Sequence, residues 1–140
     1  MGSQAAATPL KVFVAEDSAA LRSRLAALLT SYGCVDVVGQ AASVTAAIAG
    51  IRSTEAQAAI LDFQVEGGTA LDILRALAGD HAPHVAVLTH FTQDPYRNAC
   101  LAAGAEYFLD KNQDFARLHE IVLAWHAQAH SAAPLSAPQR

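Results

Sequence analysis

Short apolar runs alternate with stretches of helical spacing along the whole of this 140-residue chain, and four of the runs stop at a charged or hydroxyl residue. Residues 11–15 (KVFVA) stop at Glu16-Asp17, 58–61 (AAIL) at Asp62, 85–88 (VAVL) at Thr89, and 107–109 (YFL) at Asp110-Lys111. Strand alternating with helix argues for an α/β fold around a parallel sheet. If these runs are neighbouring strands, three carboxylates, a hydroxyl and an ammonium group meet at one edge of that sheet. Such a hollow suits a divalent cation and the placing of a phosphoryl group on a carboxylate.

The intervening stretches carry helix signals. Ser18 is a fair N-cap, Leu21, Leu25, Leu28 and Leu29 follow at helical spacing, and Gly33 stops the helix. Residues 34–39 read as the second strand, and Ser43 caps a helix carrying Val44, Ala47, Ile48 and Ile51. A loop with Gly67-Gly68 leads to a third helix from about Thr69, with Leu71, Leu74 and Leu77 inward and Gly79 at its end. Asp94-Pro95 starts a fourth helix, with Asp as cap and Pro in the first turn, and Gly104 ends it. Residues 106–109 form the fifth strand. The last helix begins near Asp114, with Phe115, Leu118, Ile121, Val122 and Trp125 on one face and Trp125 in the core. Residues 10–130 form one domain, and 1–9 and 131–140 read as flexible tails.

Five β/α units in a row favour a doubly wound, flavodoxin-like (βα)5 fold with five parallel strands in the order 2-1-3-4-5. In that order the ligand crevice lies at the C-terminal ends of strands 1 and 3, where the winding reverses. Glu16, Asp17 and Asp62 follow those two strands. The fold rule and the acid positions are independent, and they agree.

Clustered carboxylates repel one another unless a cation joins them. Hard oxygen ligands suit Mg2+, which binds through one or two carboxylates, waters and phosphate oxygens. Asp62 then serves as a nucleophile towards phosphorus. Lys111 supplies a second fixed cation, and Thr89 a hydroxyl hydrogen bond. The chain has only two lysines, and Lys11 opens the first strand.

Composition narrows the alternatives. A net charge of −4, with scattered arginines, gives no electrostatic basis for nucleic-acid binding. No run approaches the roughly 20 apolar residues of a membrane span, and residues 1–9 lack the pattern of a signal peptide. Cys34 and Cys100 have no metal or redox spacing and read as packed thiols of a cytoplasmic protein. His81 and His84 read as surface loop, while His119, His126 and His130 have no Cys or carboxylate pattern to support a metal site.

The segments VFVAEDSAALRSRLAALL, AAILDFQVEGGTALDIL, VAVLTHF and CLAAGAEYFLDK resemble the receiver domains of bacterial two-component response regulators, over roughly residues 10–128. The closest likeness is to stand-alone receivers. The resemblance implies that Asp62 is the phospho-acceptor. Asp17 and Asp62 bind Mg2+ directly with the backbone carbonyl of Gln64, and Glu16 binds it through water. It further implies that Thr89 swings towards the phosphoryl group, that Lys111 pairs with Asp62, and that Phe108 is a switch aromatic turning inward with Thr89. The implied partners are a sensor histidine kinase or histidine phosphotransfer protein, a downstream protein target, and a second copy meeting the fourth helix, fifth strand and fifth helix.

Several positions depart from the family pattern. His90 stands where a small residue is usual and narrows access to Asp62. Glu66 replaces a common proline, which predicts a less rigid, more acidic loop. Ala70 replaces a frequent glycine, and Asn112 replaces the proline of the usual cis peptide. Three competing readings follow: a degenerate receiver that binds partners without phosphorylation, an aspartyl-nucleophile hydrolase, and a flavodoxin. The hydrolase wants an acid at Gln64, and the flavodoxin a phosphate loop where Glu16-Asp17 stand.

Overall fold

A computed structural model describes residues 8–135. Of the tails expected at 1–9 and 131–140, residues 1–7 and 136–140 lie outside the described residues. Five parallel strands, β1 (Leu10–Ala15), β2 (Val35–Ala41), β3 (Ala58–Leu61), β6 (His84–Thr89) and β7 (Tyr107–Asp110), pair in the order β2-β1-β3-β6-β7. This is the doubly wound order expected. A two-stranded antiparallel hairpin, β4 (Gln64–Val65) with β5 (Gly68–Thr69), follows β3. Its turn needs a left-handed residue, supplied by Gly67 at φ 89°.

Alternate strand residues feed two cores. Phe13, Ala15, Ala59, Leu61, Val85, Val87 and Phe108 pack under α2 (Val44–Thr54), α3 (Ala70–Leu77) and α4 (Asp94–Ala102). Val12, Val14, Ala58, Ile60, Ala86, Leu88 and Leu109 face α1 (Ala19–Ser31) and α5 (Arg117–Leu135). Trp125 is fully buried in this second core, as expected. Burial on both faces explains why the strands read as near-continuous apolar runs.

Local chemistry sets the helix boundaries. The Ser18 and Ser43 hydroxyls accept from the Leu21 and Ala46 amides. Thr69 forms a capping box with Asp72, whose carboxylate accepts the Thr69 N–H at 2.9 Å. Asp94 is not the cap of α4: Gln93 holds that place, and Asp94 contributes first-turn negative charge instead. The last helix starts at Arg117 rather than near Asp114, because the Asp114 carboxylate turns back to accept the Asp110 N–H at 3.1 Å. Phe115 therefore lies outside the helix and is 38 % exposed, not inward. Leu21 is exposed as well. At its far end α5 continues to Leu135, five residues into the stretch expected as a tail.

Strand β2 runs two residues beyond its expected end, since Gln40 and Ala41 pair with Val14 and Ala15. The register shifts between Val12 and Phe13, leaving Val38 as an extra residue and setting Gly39 opposite Phe13. The Phe13 ring fills the space that a side chain at Gly39 or Gly50 would need. A Cβ at Gly39 would lie 2.6 Å from the ring, and one at Gly50 2.5 Å. This lock joins β1, β2 and α2.

Gly50→Ala gains about 1 kcal/mol of helix propensity but drives a methyl group into a buried ring. We expect a net loss of about 1–2 kcal/mol in urea denaturation, with Phe13→Leu in the same chain recovering part of it. A Gly50→Ala chain more stable than wild type would show that the ring has room to move.

Candidate phosphoryl-transfer site

The strand ends do converge. The β3 chain leaves the sheet with the Asp62 N–H on the Ala15 carbonyl at 2.9 Å, and the Lys111 N–H donates to the Thr89 carbonyl at 3.0 Å. These ladder bonds place Asp62 beside Glu16-Asp17, and Lys111 beside Thr89. The Lys111 Nζ donates to Glu16 Oε1 at 2.8 Å and to Asp62 Oδ2 at 3.2 Å. One ammonium group thus joins residues 49 and 95 positions away in the chain.

Glu16 is almost wholly buried, at 3 % exposure. Both its oxygens are engaged, because Oε2 accepts the Ser18 N–H at 3.2 Å. Its backbone carbonyl accepts from the Arg22 guanidinium at 2.7 Å. Burial pulls the Lys111 pKa down, but the Glu16 hydrogen bond and the charges of Asp62 and Glu16 outweigh it and leave it raised. Lys111 is therefore a permanent cation at neutral pH.

One carboxylate oxygen from each of Glu16, Asp17 and Asp62 lies within 4.8 Å of the other two. Asp17 is exposed and Asp62 partly buried, so the cluster opens to solvent on the Asp17 side. Three acids against one lysine leave a net negative hollow of hard oxygen donors. That donor set fits Mg2+, and Asp17 with Asp62 would hold it.

A family model, the response regulator receiver domain, matches residues 12–123. The chain belongs to this family. It is 30 % identical over 105 residues to the DNA-binding transcriptional activator DevR/DosR of Mycobacterium tuberculosis, which covers 74 % of this chain and 48 % of that protein. The chain spans about half or less of the length of the curated relatives it matches. Among solved structures, the receiver domain of the putative response regulator NarL from Mycobacterium tuberculosis superposes with a TM-score of 0.79. It is 24 % identical, and the match covers 86 % of this chain and 98 % of that one. The CheX-CheY-BeF3-Mg+2 complex from Borrelia burgdorferi matches with a TM-score of 0.75 at 20 % identity, over 84 % and 89 % of the two chains.

Thr89 is fully buried, and its hydroxyl accepts the Phe91 N–H at 3.0 Å. The Phe91 ring in turn packs on Phe63 and Tyr96. Phe108 is already turned inward, with 5 % exposure, while Thr89 holds Phe91. Arg97 of α4 donates to the Phe108 carbonyl at 3.3 Å. Gln64 opens the hairpin two residues after Asp62, with its side chain exposed. His90 is exposed and lines a groove with Glu16, Lys111 and Asn112. No peptide bond among the described residues is cis, as the Asn112 substitution predicts.

Glu66 does not loosen its loop. Its N–H donates to the Ala42 carbonyl at 3.0 Å, and its carbonyl accepts the Val44 N–H at 2.9 Å. A proline at this position has no N–H for the first bond. Glu66 thus pins the loop after β3 to the start of α2, where the sequence predicts a less rigid segment.

Sequence reasoning missed Arg22 and Phe91. Arg22 had a signal: it is a cation in the first turn of α1, where the helix dipole disfavours one, and the Glu16 carbonyl explains it. Phe91 had none, since its role rests on a backbone N–H. His84 was expected in a surface loop, but it opens β6, its Nδ1 2.6 Å from Glu106 Oε2 and its ring stacked on Trp125. Cys34 and Cys100 are free thiols, and burial pushes the Cys100 thiol up to about 11.

Lys111→Met leaves the largely buried Glu16 and Asp62 carboxylates without their cation. We expect it to cost about 3 kcal/mol of stability at neutral pH. Because the folded-state pKa is raised, the lysine's contribution is present in full below its ordinary value of 10.5 and fades as pH rises through the folded value. Denaturation midpoints of the two proteins should therefore converge above that range. A constant difference across it would assign the loss to packing. Separately, Mg2+ should raise the melting temperature of the wild type and not that of Asp17→Asn.

Proposed function

We propose that this receiver domain is a phosphorylation-dependent switch with Asp62 as the phospho-acceptor. The bridge from Lys111 to both Glu16 and Asp62 carries this reading. It holds Asp62 Oδ2 and leaves Oδ1 free of hydrogen bonds to the described residues. An Asp62 oxygen attacks phosphorus in line. The P–O bond forms as the P–N bond to the donor's imidazole breaks, and the imidazole leaves with the bonding pair and takes up a proton. The donor class is a phosphohistidine on a sensor kinase or a phosphotransfer protein.

Asp17, Asp62 and the Gln64 carbonyl would hold Mg2+ directly, and Glu16, with both oxygens engaged, through water. The bound ion supplies positive charge to the phosphoryl oxygens. Lys111 keeps Glu16 and turns from the Asp62 oxygen to the phosphoryl group. Thr89 has a hydroxyl proton to donate to the same group. Turning to it gives up the Phe91 N–H, and Phe91 carries the change through Phe63 and Tyr96 into α4. Phosphorylation thus biases two arrangements of the loop after β6. The altered surface of α4, β7 and α5 is then read by a protein target or a second copy. The net charge of −4 offers this domain no electrostatic basis for binding nucleic acid.

Acetyl phosphate with Mg2+ should add one phosphoryl group to the wild type and none to Asp62→Asn, read by intact mass at neutral pH. Equal labelling of Asp62→Asn would remove Asp62 as acceptor. An unlabelled wild type would favour a receiver that binds partners without phosphorylation.

A further inference from the structure

The sequence gives His126 and His130 no ligand partners, but the fold supplies one. They stand four residues apart on one face of α5, and their Nε2 atoms are 3.1 Å apart. The Thr8 backbone carbonyl, two residues before β1, lies 2.9 Å from the first and 2.8 Å from the second. Three polar atoms therefore form a nearly equilateral triangle at the surface.

Hydrogen bonds satisfy at most two sides of this triangle, those from the two imidazoles to Thr8. The carbonyl only accepts, and each Nε2 is a donor or an acceptor according to its tautomer. If both nitrogens carry hydrogen, both donate to Thr8, but the two N–H groups then oppose each other. If either nitrogen is bare, its lone pair faces the lone pairs of the Thr8 oxygen. In every tautomer at least one contact sets like against like.

A cation resolves all three contacts, since each atom then turns a lone pair towards it. An octahedral or tetragonal ion about 2.1 Å from three donors at roughly right angles sets them about 3 Å apart, close to the observed 2.8–3.1 Å. We propose that His126, His130 and the Thr8 carbonyl form a second cation site, for a borderline divalent ion of the Ni2+ or Cu2+ class. Imidazole nitrogen selects these ions, whereas Mg2+ prefers the all-oxygen cluster. The remaining positions on the ion are open to water, because the site is exposed. Bound there, the ion fastens the segment leading into β1 to the second half of α5.

The two sites lie at opposite edges of the sheet. Thr8 precedes β1 and Glu16 follows it, a separation of roughly 20 Å or more for an extended strand. The proposal therefore stands apart from the phosphorylation chemistry.

Ni2+ is the probe, titrated into the full chain in excess Mg2+ and followed by paramagnetic broadening of amide signals. We expect one ion per chain, with broadening centred on Thr8, His126 and His130. His126→Gln or His130→Gln should weaken binding at least tenfold, and the double variant should abolish it. Glutamine keeps a hydrogen-bonding group at each position, so the metal-free melting temperature of the variants serves as the folding control. Broadening centred on Asp17 and Asp62, unchanged binding by the double variant, or no saturable binding at submillimolar Ni2+ would each overturn the site.

Discussion

One buried ammonium group holds the functional edge of this protein together. Lys111, at the end of β7, reaches across the sheet to an acid after β1 and another after β3. Without it, three carboxylates would face one another with no ammonium group among them. With it, the site stays acidic enough to take a cation and ordered enough to leave an Asp62 oxygen available. The cost is a residual negative charge that the protein alone does not cancel, as expected where function sets the charge balance.

The double winding makes that bridge possible. It puts β1 and β3 side by side, with β6 and β7 completing the row. Backbone bonds then fix the loops. The Asp62 N–H lies on Ala15, Glu66 is tied to Ala42 and Val44, and Lys111 is tied to Thr89. The Thr89 hydroxyl, by contrast, accepts only a neighbouring amide among the described residues, that of Phe91. That single neutral hydrogen bond is worth about 1 kcal/mol, less than the charge-assisted bonds of Lys111, which is what the proposed switch requires of Thr89. The Phe91, Phe63 and Tyr96 rings connect that bond to α4.

Much of this was legible from residue order. Runs such as VAVL and AAIL, each ending in a polar residue, fixed the strands and the crevice. The Ser18 and Ser43 caps fixed two helix starts. Errors came where a side chain had a competing long-range or backward partner. Asp114 served the end of β7 rather than a helix start, and that carried Phe115 outward. His84 found Glu106 and Trp125. Glu66 acted through its backbone, which a residue type does not disclose.

The sequence by itself determined the strand–helix alternation and the acids and lysine that end the strands, because periodicity and turn chemistry are local. Tertiary structure alone decided which atoms meet. The sharing of Lys111 between Glu16 and Asp62, the Phe13 ring against Gly39 and Gly50, and the triangle of His126, His130 and Thr8 all join positions far apart in the chain. Such contacts depend on sheet register and helix rotation to within about an ångström, and no short stretch of sequence encodes either.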